Sequence, residues 1–390
     1  MHAKLLFAVV LLLLLASSPE PATSLPSPHH RRYDAIFSLG DSFADTGNNP
    51  AVFAWYSVFD PVTRPPYGTT FFGRPTGRNS DGRLILDFIA ESLGLPYVPP
   101  YLGPPFASPS PADGGGRFRR GASFAVGAAT ALDAEFFHER DIPGGHSKFP
   151  LNTSLAVQLE WFRSLKPSLC RTRHECEEFL GRSLFIVGEF GVNDYHFSFE
   201  SKSVREVRSY VPGVIRAISL AIERLIEHGA TNLVVPGAIP SGCSPPVLAM
   251  FPGAGPAEYD PRTGCLRAPN ELGLHHNALL QAALERLRAK HPHATIVYAD
   301  FYTPVMEMVQ SPHKFGLRED VLTVCCGGPG RNNYNASVFC GDPRATTCSK
   351  PSASLYWDGV HFTEAANRYI AGGWLSSINA AGCKGHDVSP

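Results

Sequence analysis

The chain has 390 residues, of which 44% are hydrophobic, and a formal net charge of −1. That length supports one sizeable core in a single α/β unit, and the near-neutral charge excludes a general binder of nucleic acid or of anionic membrane surfaces. A Gly-x-x-x-x-Gly-Lys-Ser/Thr phosphate loop is absent, which removes the commonest nucleotide reading. No Cys-x-x-Cys pair supports a zinc site, so no cofactor and no metal are expected.

Met1 to about Ser24 reads as a signal peptide, with Lys4, a Leu-rich run from Leu5 to Leu15, then small residues and prolines. The run is too short to span a bilayer comfortably, and no other stretch approaches that length, so stable membrane insertion is not expected. Residues 25–390 are left as a single domain. Short apolar runs at Ala35–Leu39, Leu184–Val187, Asn232–Val235 and Thr295–Tyr298 predict strands. Between and after them, apolar spacing predicts helices over Ser80–Leu93, Ser203–His228, Ala268–Lys290 and Thr363–Ile378, the first capped by Asn79-Ser80-Asp81. Such alternation implies a parallel sheet covered by helices on both faces. Leu95–Gly116, Ser241–Gly264 and Cys325–Lys350 are rich in Pro, Gly or Asn and read as long loops, either cleft walls or surface decoration. Arg117-Phe118-Arg119-Arg120 reads as a solvated loop face.

Nine cysteines in a chain with a secretory leader favour disulfides. Cys170 and Cys176 are close enough in sequence to close a local loop, Cys243 and Cys265 bracket another, and Cys325, Cys326, Cys340 and Cys348 cluster. The odd count leaves one thiol over, and the sequence does not say which. Asn152-Thr-Ser and Asn335-Ala-Ser are glycosylation sequons.

The chemistry concentrates at two places. Ala35–Leu39 breaks at Gly40, and Ser42 follows, so a serine emerges at a sheet's carboxyl edge, where ligands collect. Far downstream, Trp357-Asp358-Gly359-Val360-His361 places an Asp three residues before a His, a spacing that aligns the two side chains on a helical turn. Ser42 then reads as nucleophile, His361 as general base and Asp358 as the acid that orients it, with an N-cap of the last helix as Asp358's other reading. The nucleophile elbow Gly-x-Ser-x-Gly of the ordinary α/β-hydrolases is absent.

Four ordered blocks carry a resemblance. Gly40-Asp41-Ser42-Phe43, Gly121-Ala-Ser-Phe-Ala-Val-Gly127-Ala128, Val187-Gly188-Glu-Phe-Gly191-Val-Asn193-Asp194-Tyr195 and Asp358-Gly-Val-His361 resemble the plant GDSL esterase/lipase family, a branch of the SGNH hydrolases, over about Tyr33 to Ile378. The resemblance implies a flavodoxin-like α/β/α sandwich and a serine esterase. It also implies an oxyanion hole made by the Ser42 N–H, the Gly127 N–H and the Asn193 side chain, and structural roles for Asp41 and Asp45. Block two departs from the family's usual Asn-Phe-Ala-x-Gly-Gly at Ser123 and Ala128, so either Gly127 or Ala128 is the backbone donor, and an Ala there keeps that role readily if its φ is negative. Among plant members, the similarity leans to acetylesterases that act on cell-wall xylan or its arabinosyl branches. The expected partner is therefore an acetyl ester, including acetylated polysaccharide or glycoside, met in the Golgi lumen or after secretion. Rivals are a lipase for longer acyl chains and a catalytically idle carbohydrate-binding relative, whose mark would be a lost triad member.

Overall fold

Alternation along the strands sorts the core into two layers. Phe37, Leu39, Phe185, Val187, Leu233, Val235 and Ile296 face one apolar cluster, while Ile36, Leu184, Ile186 and Val234 face another, as the two-residue period of a strand requires. The computed structural model describes residues 32–103, 116–144 and 147–383. The predicted leader lies outside them, as does part of the Pro-rich segment after Leu95.

In chain order the elements that build the body are β1 (Ala35–Leu39), α1 (Asn49–Trp55), α2 (Ile85–Ser92), β2 (Gly121–Ser123), α3 (Leu155–Leu169), β3 (Ser183–Val187), α4 (Val192–Phe199), α5 (Val204–Arg208), α6 (Val211–Glu227), β4 (Asn232–Pro236), α7 (Arg267–Lys290), β5 (Thr295–Ala299), α8 (Tyr302–Gln310) and α9 (Glu364–Cys383). The sheet runs β2-β1-β3-β4-β5, every pair parallel. This is the flavodoxin-like order, and it places a switch point at the carboxyl ends of β1 and β3. Helices α3, α6 and α7 bury their apolar stripes on one face, and α2, α8 and α9 on the other. The expected three-layer α/β/α sandwich is present.

Boundaries differ where tertiary bonds outbid local preference. The helix expected from Ser80 starts only at Ile85, because Asp81 accepts from the Glu364 N–H at 2.7 Å and from the Thr70 hydroxyl at 2.6 Å. Ser203–His228 divides into α5 and α6. Pro212 lacks an N–H and is tolerated only in the first turn of the second helix. Strand β2 carried no periodic signal: it is three residues long. A Cβ on its Gly121 would lie 1.8 Å from the Ile36 carbonyl oxygen, so only glycine allows the approach.

Four disulfides join Cys170–Cys176, Cys243–Cys265, Cys325–Cys348 and Cys326–Cys340. Among the described residues these pairs use eight of the nine cysteines. The last two pairs staple a small antiparallel ribbon, β6 (Cys326–Gly327) with β7 (Thr346–Thr347). Such pairing fits an oxidising compartment. Among the described residues no helix is long and apolar enough to cross a membrane.

The turn after β1 is held from a distance. Gln158 on α3, fully buried, accepts from the Gly40 N–H at 2.9 Å and donates to the Gly40 carbonyl at 2.8 Å. Gln158→Leu leaves that buried N–H without an acceptor and should destabilise the protein by about 1–3 kcal/mol. Denaturant titration would check this, and a loss below about 0.5 kcal/mol would show the clamp to be dispensable.

Candidate active site

Gly40 turns the chain out of β1 so tightly that a Cβ on it would meet the Gly188 carbonyl oxygen at 2.8 Å. Ser42 lies just beyond, 6% exposed. Its Oγ is 2.7 Å from His361 Nε2, and His361 Nδ1 is 2.7 Å from Asp358 Oδ1. With the ring proton on Nδ1 and donated to Asp358, Nε2 is the acceptor for the serine hydroxyl. Phe43 packs edge-on to the imidazole, ring centroids 5.7 Å apart, and against Phe301 and Phe362 behind it. The ring is thus held on its flank as well as at both nitrogens.

Asp358 and His361 do not share the helical turn expected of them. The segment is a tight loop closed by a bridge between Tyr356 and Phe362 and by the Trp357 N–H donating to the His361 carbonyl at 2.7 Å, with Gly359 at φ +152°. Helix α9 begins only at Glu364, so Asp358 does not cap it.

Acids tie the nucleophile loop together. Asp41 accepts from the Phe43 N–H at 2.9 Å. Asp45 accepts from the N–H groups of Gly47, Asn48, Asn49 and Gly127 at 2.7–3.1 Å. Asp194 accepts from those of Ala131 and Leu132. The Gly127 N–H is thus given to Asp45, and a Cβ on Gly127 would lie 2.5 Å from Asn49 Oδ1. The next residue, Ala128, sits at φ +66°, not the negative φ that would suit an alanine, and among the described residues its N–H has no acceptor. The Ser42 N–H is likewise without one. Asn193 Nδ2 joins the two blocks, donating to Asp41 Oδ2 at 3.0 Å and to the Ala129 carbonyl at 2.9 Å.

Three residues escaped sequence reading. Gln158 clamps Gly40. Asn48 Nδ2 donates to the Ser123 and Ala125 carbonyls, 2.8 Å each, and its Oδ1 accepts from the Leu102 N–H. The Tyr67 hydroxyl donates to Asp358 Oδ2 at 2.6 Å. None lies within the four blocks or carries a local signal. Of the two sequons, Asn152 is exposed and Asn335 half-buried, its Nδ2 donating to the Pro329 carbonyl. Among the described residues no cluster of three or more His, Cys, Asp or Glu is arranged to hold a metal.

A serine bonded to an oriented histidine is equipped for acyl transfer, and the class is that of the serine ester hydrolases. The family described as GDSL-like lipase/acylhydrolase matches residues 36–374. A GDSL esterase/lipase of Arabidopsis thaliana is 44% identical over 379 residues, covering 96% of this chain and 98% of the relative. A sinapine esterase of Brassica napus is 44% identical over 371 residues, covering 93% and 88%. Another GDSL esterase/lipase of Arabidopsis thaliana is 44% identical over 344 residues, covering 88% and 84%. This chain belongs to the GDSL-like lipase/acylhydrolase family.

Charge around the site sets two opposite pH responses. Burial pushes the His361 pKa down, but the charge and hydrogen bond of Asp358 and the charge of Asp41 outweigh it, so the pKa lies above the ordinary 6.5. Ester hydrolysis should fall on the acid side along a limb centred above pH 6.5; kcat/KM profiles would check it, and a limb below pH 6 would contradict it. Burial lifts Asp41 and Asp45 to about 7 and Asp60 and Asp194 to about 6. These groups keep their protons in the folded state after the unfolded chain has released them, so the stability they contribute is lost as pH rises from 3.8 through those values. Burial lowers His196 to about 4 and His276 to about 3, an opposing effect that starts only as pH drops past 6.5. Tm should therefore be higher near pH 6 than near pH 8, read by calorimetry; the reverse order would refute the buried-acid account.

Proposed function

We propose that Ser42 attacks the ester carbonyl while His361 Nε2 takes its proton, with Asp358 holding the imidazole. The developing oxyanion is met by the N–H groups of Ser42 and Ala128 and by Asn193 Nδ2, whose bond to Asp41 gives way to it. Of the two candidates in block two, Ala128 is the donor in this reading, because the Gly127 N–H is bonded to Asp45. Collapse expels the alcohol, which receives the proton from His361, and water activated by the same histidine releases the acid from Ser42. The observation that carries this reading is the continuous hydrogen-bonded chain Ser42–His361–Asp358.

The acyl group we propose is acetyl, and the natural ester an O-acetyl group of xylan, arabinoxylan or a related glycoside. The near-buried Ser42, with Asn193 bonded to the adjacent Asp41, supports a short acyl group. The leader, the four disulfides and the sequons at Asn152 and Asn335 support a glycosylated protein of the Golgi lumen or the apoplast.

A serine-reactive phosphonate should label Ser42 alone, and Ser42→Ala should abolish turnover; label on another serine would overturn the mechanism. Asn193→Ala should lower kcat by about 10²–10³ with the fold retained, and activity within twofold of the parent would remove Asn193 from the oxyanion hole. Acetyl, butyryl and octanoyl esters of one alcohol test acyl length, with sinapine and acetylated xylan beside them. Each buried methylene contributes about 0.8 kcal/mol to a site that accepts it, so a lipase would show kcat/KM climbing with chain length. The acetyl ester should instead be the fastest. A steady rise to octanoyl without acetate release from xylan would favour the lipase.

A further inference from the structure

The hydrogen-bonded chain does not end at Asp358. Its Oδ1 accepts from His361, and its Oδ2 accepts at 2.6 Å from the hydroxyl of Tyr67, 291 residues upstream. Both partners are enclosed: Asp358's side chain is 9% exposed and Tyr67 is 1% exposed. A buried carboxylate oxygen without a donor would be costly, and Tyr67 is the side chain that supplies one. Burial and the negative charge of Asp358 hold the Tyr67 pKa well above its ordinary value, so the phenol remains a donor throughout the working range.

The ring that carries this hydroxyl cannot readily turn away. Tyr67 stands edge-on to Trp357, centroids 5.9 Å apart, in a small cluster with Val62, Cys325, Cys326 and Cys340. The same disulfide-stapled ribbon grips the backbone leading into Asp358: the Cys325 N–H donates to the Tyr356 carbonyl at 3.0 Å, and the Cys326 N–H to the Trp357 carbonyl at 2.7 Å. One rigid unit therefore fixes both ends of the Tyr67–Asp358 bond.

We propose that Tyr67 is a positioning residue of the ester hydrolysis: it fixes the plane of the Asp358 carboxylate and draws off part of its charge, so that His361 is both aimed at Ser42 and kept from becoming too basic. The inference rests on the proposed roles of Ser42, His361 and Asp358. The groups that set this balance are Asp358 and Asp41, which face His361, and Tyr67 and Tyr334, which face Asp358, with Asp60 close to Tyr67. Remove the phenol oxygen and Asp358 is freer to rotate, while its whole charge acts on the imidazolium.

Tyr67→Phe tests this by deleting one atom. At the pH plateau kcat should fall about tenfold, the size expected of a lost bond to a charged group, with KM within about twofold of the parent. The acid limb should move up by about half a pH unit or more, and the low-field proton resonance of His361 Nδ1–H should shift. Trp357→Phe, which loosens the same cluster but keeps the phenol, should lower Tm and leave the limb in place. The proposal is overturned if Tyr67→Phe moves neither the limb nor the resonance, or if Trp357→Phe moves the limb equally. Should Tyr67→Phe fail to fold, 3-fluorotyrosine placed at position 67 strengthens the donor and should move the limb down; an unmoved limb overturns the proposal. Phosphonate labelling of the parent separates the two readings. If Ser42 is not labelled, the hydrolytic reading falls, whereas the His361 resonance still reports whether Tyr67 acts on Asp358.

Discussion

Ser42 and His361 are separated by 319 residues and joined by one hydrogen bond of 2.7 Å. Nothing local brings them together, so much of the fold serves to bring two distant loops into register. On the serine side, β1 lies inside the sheet between β2 and β3, and Gln158 reaches in from α3 to hold Gly40. On the histidine side, the segment 80–83 acts as a bracket. Ser80 Oγ donates to the Phe362 carbonyl, Asp81 receives the Glu364 N–H, and Arg83 pairs with Glu364 at 2.7 Å with both side chains under 10% exposed. A buried ion pair contributes little net stability once desolvation is counted, but losing one partner is costly. Its value here is register: it fixes where α9 starts and hence where His361 points. Gly82 permits the approach, since a Cβ there would lie 2.0 Å from Glu364 Oε2.

The same architecture imposes a conflict. Loops at the switch point have their backbone amides gathered by buried carboxyls, and burial favours the neutral form of those acids. Low pH therefore suits the scaffold. The base proposed here has the opposite need, because His361 could accept the serine proton only when it is itself neutral, and the charges of Asp358 and Asp41 hold on to its proton. Asp41 belongs to both sides: it organises the loop through Phe43 and Asn193, and its charge raises His361. Glu189, buried nearby, is pushed well above its ordinary value by burial and by Asp41's charge.

Much of this was legible in the sequence because it is written locally. Ala35–Leu39 was read to the residue, and β3, β4 and β5 to within one, since each is a short apolar run ended by Gly, Pro or Asp. Ser42, Asp358 and His361 were legible because each lies in a recognisable block. What stayed hidden is non-local. Gly121–Ser123 is a strand only because β1 offers it a ladder. Ser80–Leu84 avoids helix because Glu364, more than 280 residues away, claims its polar groups. Tyr67 stands in a Pro65-Pro66-Tyr67-Gly68 turn that gives no hint of the carboxylate it meets. Asp358 and His361 do meet, but not by the geometry their spacing suggests: three residues align two side chains on a helix, yet here a loop does so.

The two small residues of block two differ in what their backbones meet. The Gly127 N–H donates to Asp45, and a Cβ on Gly127 would meet Asn49 Oδ1. Ala128 lacks glycine's freedom and holds a left-handed backbone, a conformation that costs an alanine roughly 1–2 kcal/mol. Uncommon backbone conformations of this kind persist where the surrounding structure over-determines them, and they gather at functional sites. Here the neighbours on both sides are pinned, Gly127 by Asp45 and Ala129 through its carbonyl to Asn193. Held between them, the Ala128 N–H is left without an acceptor among the described residues, as the donor role proposed for it requires.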